Sequence, residues 1–403
     1  MTFLDVFYNK LVKHGLSVSL TADSIVLVRE GKHDLTIKAD PTFEADYSRM
    51  QGARSRSFKP ETRILQVNNS IEVQLVPLAL SQGPRPRDPI NLASANGDEV
   101  VIGPSTNAFA MSLLEADAIP AQHIERMLNR IGSTQLRNMS VSELVPRTYS
   151  GCFKRKGKAI PPNLEETAIA SIRSSLFALA MQMDECLEIW QPRKYWSFND
   201  RSSGEGGLQI PKASYDTNVV SFYKVAKSSP YPSQSFLAFY NCLEYYFLRV
   251  AETKLHARLA VVLNDPSFKT TTATLDKVVS IVKGDERRSD ETELLRNVLD
   301  RYVEEREMIS LIERVEREWG ENVYTKKRRV FGEELVVSKQ PGHVIGNVAK
   351  ALKHIRNAIV HSTDRYSREE CHVPLSASED IVAQYVPLIM FSAERVIFGT
   401  SSP

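Results

Sequence analysis

The 403-residue chain reads as an α+β protein, a β-rich N-terminal domain followed by an all-α helical bundle. Two textures predict it. Between residues 18 and 102, short runs such as SVSLTADSIVLVREGKHDLTIKAD, RILQVNNSIEVQLVPLAL and NGDEVVIG alternate apolar with polar residues, the period of half-buried strands. Beyond residue 213, apolar positions recur every three or four residues, as on one face of a helix. The expected division is 1–150 for the β-rich domain, 151–212 for a helix and linker, and 213–403 for the helical domain.

In chain order, turns at Glu30-Gly31-Lys32 and Asn96-Gly97-Asp98 separate the strands, and the proline-rich SQGPRPRDP at 81–89 reads as an exposed loop. Residues 113–132 turn helical, with Ile124, Met127, Leu128 and Ile131 at helical spacing. The basic stretch FKRKGK at 153–158 runs into Pro161-Pro162, where a domain edge is expected. A helix follows over 164–190. Ser202-Ser203-Gly204 and Gly206-Gly207 read as a flexible loop, since neither GxxxxGK[ST] nor a strand-GxGxxG-helix context surrounds them. Further helices are expected at 233–259, 273–283, 290–319, 344–361 and 377–398, without an internal repeat of fixed period.

Composition sets the outer bounds. Apolar residues make up 42% and charged residues 25%, as in soluble globular proteins. With 51 Lys and Arg against 49 Asp and Glu, the net charge of +2 lacks the basic balance that grips long nucleic acid, so any such contact must be local. Four scattered cysteines without a CxxC read as reduced thiols. The N-terminal MTFLDVFYNKLVKHG has charges within its apolar stretch, and no run of ~18 apolar residues occurs, so the expectation is a cytoplasmic protein without a membrane partner.

The most informative stretch is KHIRNAIVHS at 353–362. Val344 or Ile345, Val348, Leu352, Ile355 and Ile359 form an apolar stripe, interrupted by Arg356, Asn357 and His361. At 100° per residue Asn357 and His361 lie about 40° apart around the axis, and Arg356 and His361 roughly 140° apart. The aromatic helix at 233–259 places Glu244 on the stripe of Leu237, Tyr240 and Leu248, where an unpaired charge is costly. Arg356 is its candidate partner, because a guanidinium can hold a carboxylate through two parallel bonds; a solvent-filled gap or a neighbouring helix end also satisfies Glu244. The TKKRR run at 325–329 supplies Lys326, Lys327, Arg328 and Arg329, which with Lys353 are candidate RNA contacts; a solvated loop is the competing reading. Cys371-His372 lacks companion metal ligands, and neither a metal nor another cofactor is expected.

RNAIVH, with the upstream FLAFYNCLEYYF, resembles the Rx4-6H motif of the HEPN superfamily and a bacterial group of HEPN proteins associated with phage defence. The resemblance covers residues 215 onward and leaves the β-rich region outside. It implies a helical bundle that dimerises so that two motifs face each other across one ribonuclease centre. The residues suit that chemistry. RNA cleavage without a metal needs a base for the ribose 2′-OH, an acid for the 5′-leaving oxygen, and positive charge at the phosphate. His361 can serve as base or acid, Arg356 can hold phosphate oxygens, and Asn357 can orient the histidine or a ribose hydroxyl or cap the helix end near Ser362, Thr363 and Asp364. With Glu244 counted in the site, the expected function is a metal-independent endoribonuclease leaving 2′,3′-cyclic phosphate and 5′-hydroxyl ends. It would act as an antiphage effector on RNA, tRNA being one candidate, with the N-terminal domain sensing a phage-derived trigger or binding an inhibitory partner. The alternative is a non-catalytic HEPN RNA-binding or interaction module. A metal-dependent hydrolase is disfavoured, since the chain offers no HExxH, no HxD pair and no carboxylate cluster at ligand spacing.

Overall fold

The computed structural model describes residues 2–28, 34–78, 88–119, 138–157, 159–192, 212–287, 290–361 and 371–402. The Glu30-Gly31-Lys32 turn, nearly all of the 81–89 loop, Ile124 to Ile131, the paired glycines of 202–207 and Ser362 to Asp364 lie outside them. The chain divides into two compact units, Met1–Pro192 and Arg193–Pro403.

The first unit is built on two sheets. β1 (Val18–Leu20), β2 (Ser24–Leu27), β3 (Leu35–Lys38) and β9 (Asn138–Ser140) form one in that order. It shares a core with α1 (Phe3–Lys13), α2 (Pro41–Gln51), α3 (Asn107–Glu115) and α4 (Val141–Leu144), including Phe3, Phe7, Phe43 and Ile37. In the second sheet β4 (Arg56–Lys59), β5 (Ile64–Val67), β6 (Ser70–Pro77), β10 (Tyr149–Lys154), β8 (Glu99–Pro104) and β7 (Ile90–Ala93) follow one another, and β11 (Leu187–Ile189) adds to β6. Residues alternate across it as a period of two demands. Ile71, Val73, Val100 and Phe153 meet α5 (Leu164–Met183), and Leu65 meets Phe109 and Leu113 of α3. Gly97 sits at φ 85° in the turn expected from Asn-Gly-Asp.

The domain edge expected near residue 150 falls inside β10, which pairs with β6 and β8 through Lys154. Residues 151–192 therefore belong to the first unit. The helix expected over 164–190 ends at Met183, because Asp184 turns left-handed at φ 54° and the chain re-enters the sheet as β11. Of the cysteines, Cys152, Cys242 and Cys371 are buried, Cys186 is exposed, and all are free thiols.

The second unit is helical: α6 (Thr217–Ser228), α7 (Pro232–Glu244), α8 (Phe247–Leu263), α9 (Thr272–Arg287), α10 (Glu291–Tyr302), α11 (Glu305–Trp319), α12 (Val344–Val360) and α13 (Ser378–Gly399). α13 packs along α7, and α12 packs on α10, around a core that includes Phe236, Tyr240, Leu299, Leu352 and Leu388. Two expected helices are each broken in two. Between α7 and α8 the helix is interrupted at Tyr245-Tyr246, and Tyr246 and Phe247, 2% and 5% exposed, both enter the core. At residues 303–304, Val303 becomes extended and buried, and the acidic Glu305 and Glu307 open α11, where the helix dipole favours negative charge.

The only strands in this unit among the described residues are β12 (Arg328–Val330) and β13 (Glu333–Leu335), a hairpin where a loop was expected. Phe331 and Gly332, at φ 45° and 82°, make its two-residue turn, with positive φ at both positions as such hairpins require. Near the two ends of the described part of this unit, Ser214 and Ser402 meet. The two exchange both backbone bonds, at 2.8 and 3.0 Å.

Candidate active site

The site is built on α12. Its expected apolar stripe is the buried face as far as Ile355, with Val344, Ile345, Val348, Leu352 and Ile355 at most 7% exposed, while Ile359 is half-buried against the core. No side chain of its own caps the helix at His343. Instead the Glu305 carboxylate, from the first turn of α11, accepts the backbone N–H of Gly342 at 2.9 Å and of Val344 at 3.1 Å. A negative charge thus sits against the positive end of the helix and satisfies otherwise orphaned donors. Farther along, His354 is buried, and its Nε2 is 2.8 Å from the carbonyl oxygen of Val330, tying α12 to the hairpin.

The polar flank of α12 faces the first turn of α10. Arg356 Nε lies 3.5 Å from Glu291 Oε1, and its guanidinium carbon is 5.9 Å from the centre of the Tyr240 ring. The Tyr240 hydroxyl donates to the same Glu291 oxygen at 2.9 Å. Burial, and after it the Glu291 charge, pushes the Tyr240 phenol well above its usual range, so this hydroxyl remains a donor. One turn earlier, Lys353 Nζ bonds Asp290 at 2.7 Å and Thr292 Oγ1 at 2.9 Å. Asp290 is the N-cap of α10, and the Lys353 bond leads the causes that hold its carboxyl below the usual range.

Asn357 joins the motif together. Its Oδ1 accepts from Arg356 Nη1 at 3.2 Å, and its backbone carbonyl accepts the His361 N–H at 2.8 Å. His361 is the C-cap of α12 and is exposed, while Arg356 and Asn357 are half-buried. The positive charge and the imidazole thus occupy the last turn and a half of one helix, about 7.5 Å apart along its axis.

The structure brings together Lys353, Arg356, Asn357 and His361, and it revises the other expectations. Glu244 is exposed at the C-terminal end of α7 and pays no burial penalty, so it has no need of Arg356; Glu291 takes that place. Lys353 is a strut to the α10 cap. Arg328 turns inward, 5.5 Å from the Tyr385 ring centre, because alternate residues of β12 face opposite sides. Lys327 pairs with Glu334 across the hairpin at 2.6 Å, and Lys326 and Arg329 are exposed. Sequence reasoning missed Glu291 and the Tyr240 hydroxyl. The available signal was Ser289-Asp290-Glu291-Thr292, a helix-start pattern with an acid in the first turn.

A guanidinium paired with a carboxylate and bonded by a neighbouring amide can hold an anion, and an imidazole at an exposed helix end can exchange a proton. Among the described residues no group of three or more His, Cys, Asp or Glu is arranged to hold a metal ion. No protein-family model, curated protein or solved structure matches this chain.

Proposed function

We propose that the protein is a metal-independent endoribonuclease of the HEPN type that cleaves RNA to 2′,3′-cyclic phosphate and 5′-hydroxyl ends. The carrying observation is that Arg356, Asn357 and His361 share the last turns of α12, with the Asn357 side chain bonded to the arginine and His361 exposed at the helix end. Arg356 would stabilise the charge that grows on the phosphate, and His361 would move the proton. One chain offers one such imidazole, whereas the reaction needs a base and an acid. The reading therefore includes a homodimer with facing motifs, one His361 taking the 2′-OH proton and the other protonating the leaving oxygen. The wider role proposed is that of a cytoplasmic antiphage effector, its first unit restraining or triggering the nuclease in response to a phage-derived signal.

Purified wild-type and His361→Ala proteins incubated with total RNA in EDTA test this. Loss of a general acid–base group costs on the order of 10²–10⁴-fold in rate. Cleavage unchanged in the variant, or absent in both, overturns the reading.

A second reading has its own observation. Arg356 is ion-paired to Glu291 and stacked by Tyr240, as a purely structural arginine would be. A non-catalytic RNA-binding or interaction module then follows, and it expects His361→Ala to leave cellular activity unchanged.

A further inference from the structure

The hairpin expected to guide RNA has Lys327 paired and Arg328 turned inward, but a different surface of the second unit concentrates arginine. α11 and α13 border a cleft of about 570 Å³ lined by Arg306, Arg314, Arg317 and Arg395, with Glu307 and Glu313 the acids among its walls. Both acids already have basic partners. Glu307 Oε2 lies 2.9 Å from Arg395 Nε, and Glu313 Oε1 lies 3.0 Å from Lys339 Nζ. Arg306 and Arg317 are exposed and have no acidic partner among the described residues.

The spacing is directional. Residues 306, 310, 314 and 317 lie within about 80° of one another around the α11 axis and extend about 16 Å along it. Arg395 is held in the wall, its guanidinium carbon 4.8 Å from the centre of the Phe391 ring. Its Glu307 contact lies outside hydrogen-bond alignment, so the buried Nε–H has no acceptor. A row of guanidiniums this long exceeds what a single phosphate can bridge, and suits a chain of anions. In a protein of net charge +2, such a row is the local contact that nucleic acid requires.

We infer that the cleft between α11 and α13 binds the phosphodiester backbone of single-stranded RNA, apart from the Arg356–His361 site. The choice of RNA rests on the ribonuclease reading; the polyanion chemistry rests on the cleft alone.

The test is binding of a fluorescein-labelled 20-nucleotide single-stranded RNA to the full chain carrying His361→Ala, which prevents cleavage during titration, followed by anisotropy at several salt concentrations. Adding Arg306→Ala and Arg317→Ala should weaken binding about tenfold and lower the slope of log K against log salt by roughly 1.4, about 0.7 for each phosphate that is no longer neutralised. Arg306→Lys with Arg317→Lys keeps the charge and should keep the slope, which separates charge from damage to the fold. An unchanged affinity and slope in the alanine pair overturns the inference. So does unchanged RNA binding alongside weakened binding of a poly-glutamate peptide, which would assign the cleft to an acidic protein segment. Failure of the nuclease reading shows instead in the EDTA cleavage assay, with the binding result standing.

Discussion

Replacing Glu291 with alanine removes the acceptor of the Tyr240 hydroxyl and the charge 3.5 Å from Arg356 Nε. Tyr240 is 1% exposed, so its orphaned hydroxyl costs about 1–3 kcal/mol. The Arg356 and Glu291 side chains are 23% and 26% exposed, so their ion pair contributes at most about 1 kcal/mol. Loss of an acid from the first turn of α10 adds about 0.3–1 kcal/mol. The total, about 1–5 kcal/mol, corresponds to a fall of roughly 3–20 °C in the melting temperature of a unit this size. Glu291→Gln differs in kind. It keeps an oxygen to accept from Tyr240 and removes only the charge, so stability should fall by the ion-pair and helix-dipole contributions alone, about 0.3–2 kcal/mol. Arg356 is then released from its carboxylate, and RNA cleavage should equal or exceed that of wild type. Thermal unfolding by circular dichroism, run beside the EDTA cleavage assay, reads both effects. A shift below about 1 °C in Glu291→Ala, or a Glu291→Gln protein as inactive as Arg356→Ala, would refute the reasoning.

Other outcomes follow from single contacts. His354→Ala should cost about 2–4 kcal/mol, since it empties a buried position and frees the Val330 carbonyl, and amide exchange at the hairpin should accelerate selectively. Lys353→Ala should lower stability by about 1 kcal/mol through the α10 cap while leaving the salt dependence of RNA binding as it was. Burial pushes the Glu379 carboxyl up, but its bonds from His372 and Ser233 outweigh burial and hold it below the usual range. Its contribution is therefore complete above the unfolded carboxyl value of about 4.3 and disappears as pH falls through the lower folded value. The stability gap between wild type and Glu379→Gln should close as pH drops toward ~3, and a gap constant from pH 7 downward would show that the bonds do not favour the charged form. Finally, His361→Ala chains mixed with wild type should lower cleavage more steeply than simple dilution, roughly as the square of the wild-type fraction, since a centre that needs an imidazole from each subunit works only in wild-type dimers; a loss merely proportional to dilution would refute the shared site.

What was legible in the chain follows physical locality. The α12 stripe could be read because a helix writes its buried face at a fixed period, and Asn96-Gly97-Asp98 because positive φ selects glycine. The breaks at Tyr245-Tyr246 and Val303 carry neither proline nor glycine; they are set by which side chains the finished core accepts, and local pattern does not record that. The motif itself was visible, but its counter-ion was not. Glu244 fitted an extrapolated helix phase that the break after it ended, while Glu291 acquires its place only when α10 packs on α12. Likewise a run of like charge does not say which residues face water, and the strand period turned Arg328 inward.

The paired backbone bonds of Ser214 and Ser402 have a mechanical consequence. Tension applied along the polypeptide through these two residues loads two hydrogen bonds first and the helical core afterwards. The same closeness brings two distant points of the sequence together: a short bridge from Ser402 to Ser214 would permit circular permutation of the helical residues between them, and a module fused beyond Ser402 would emerge beside Ser214.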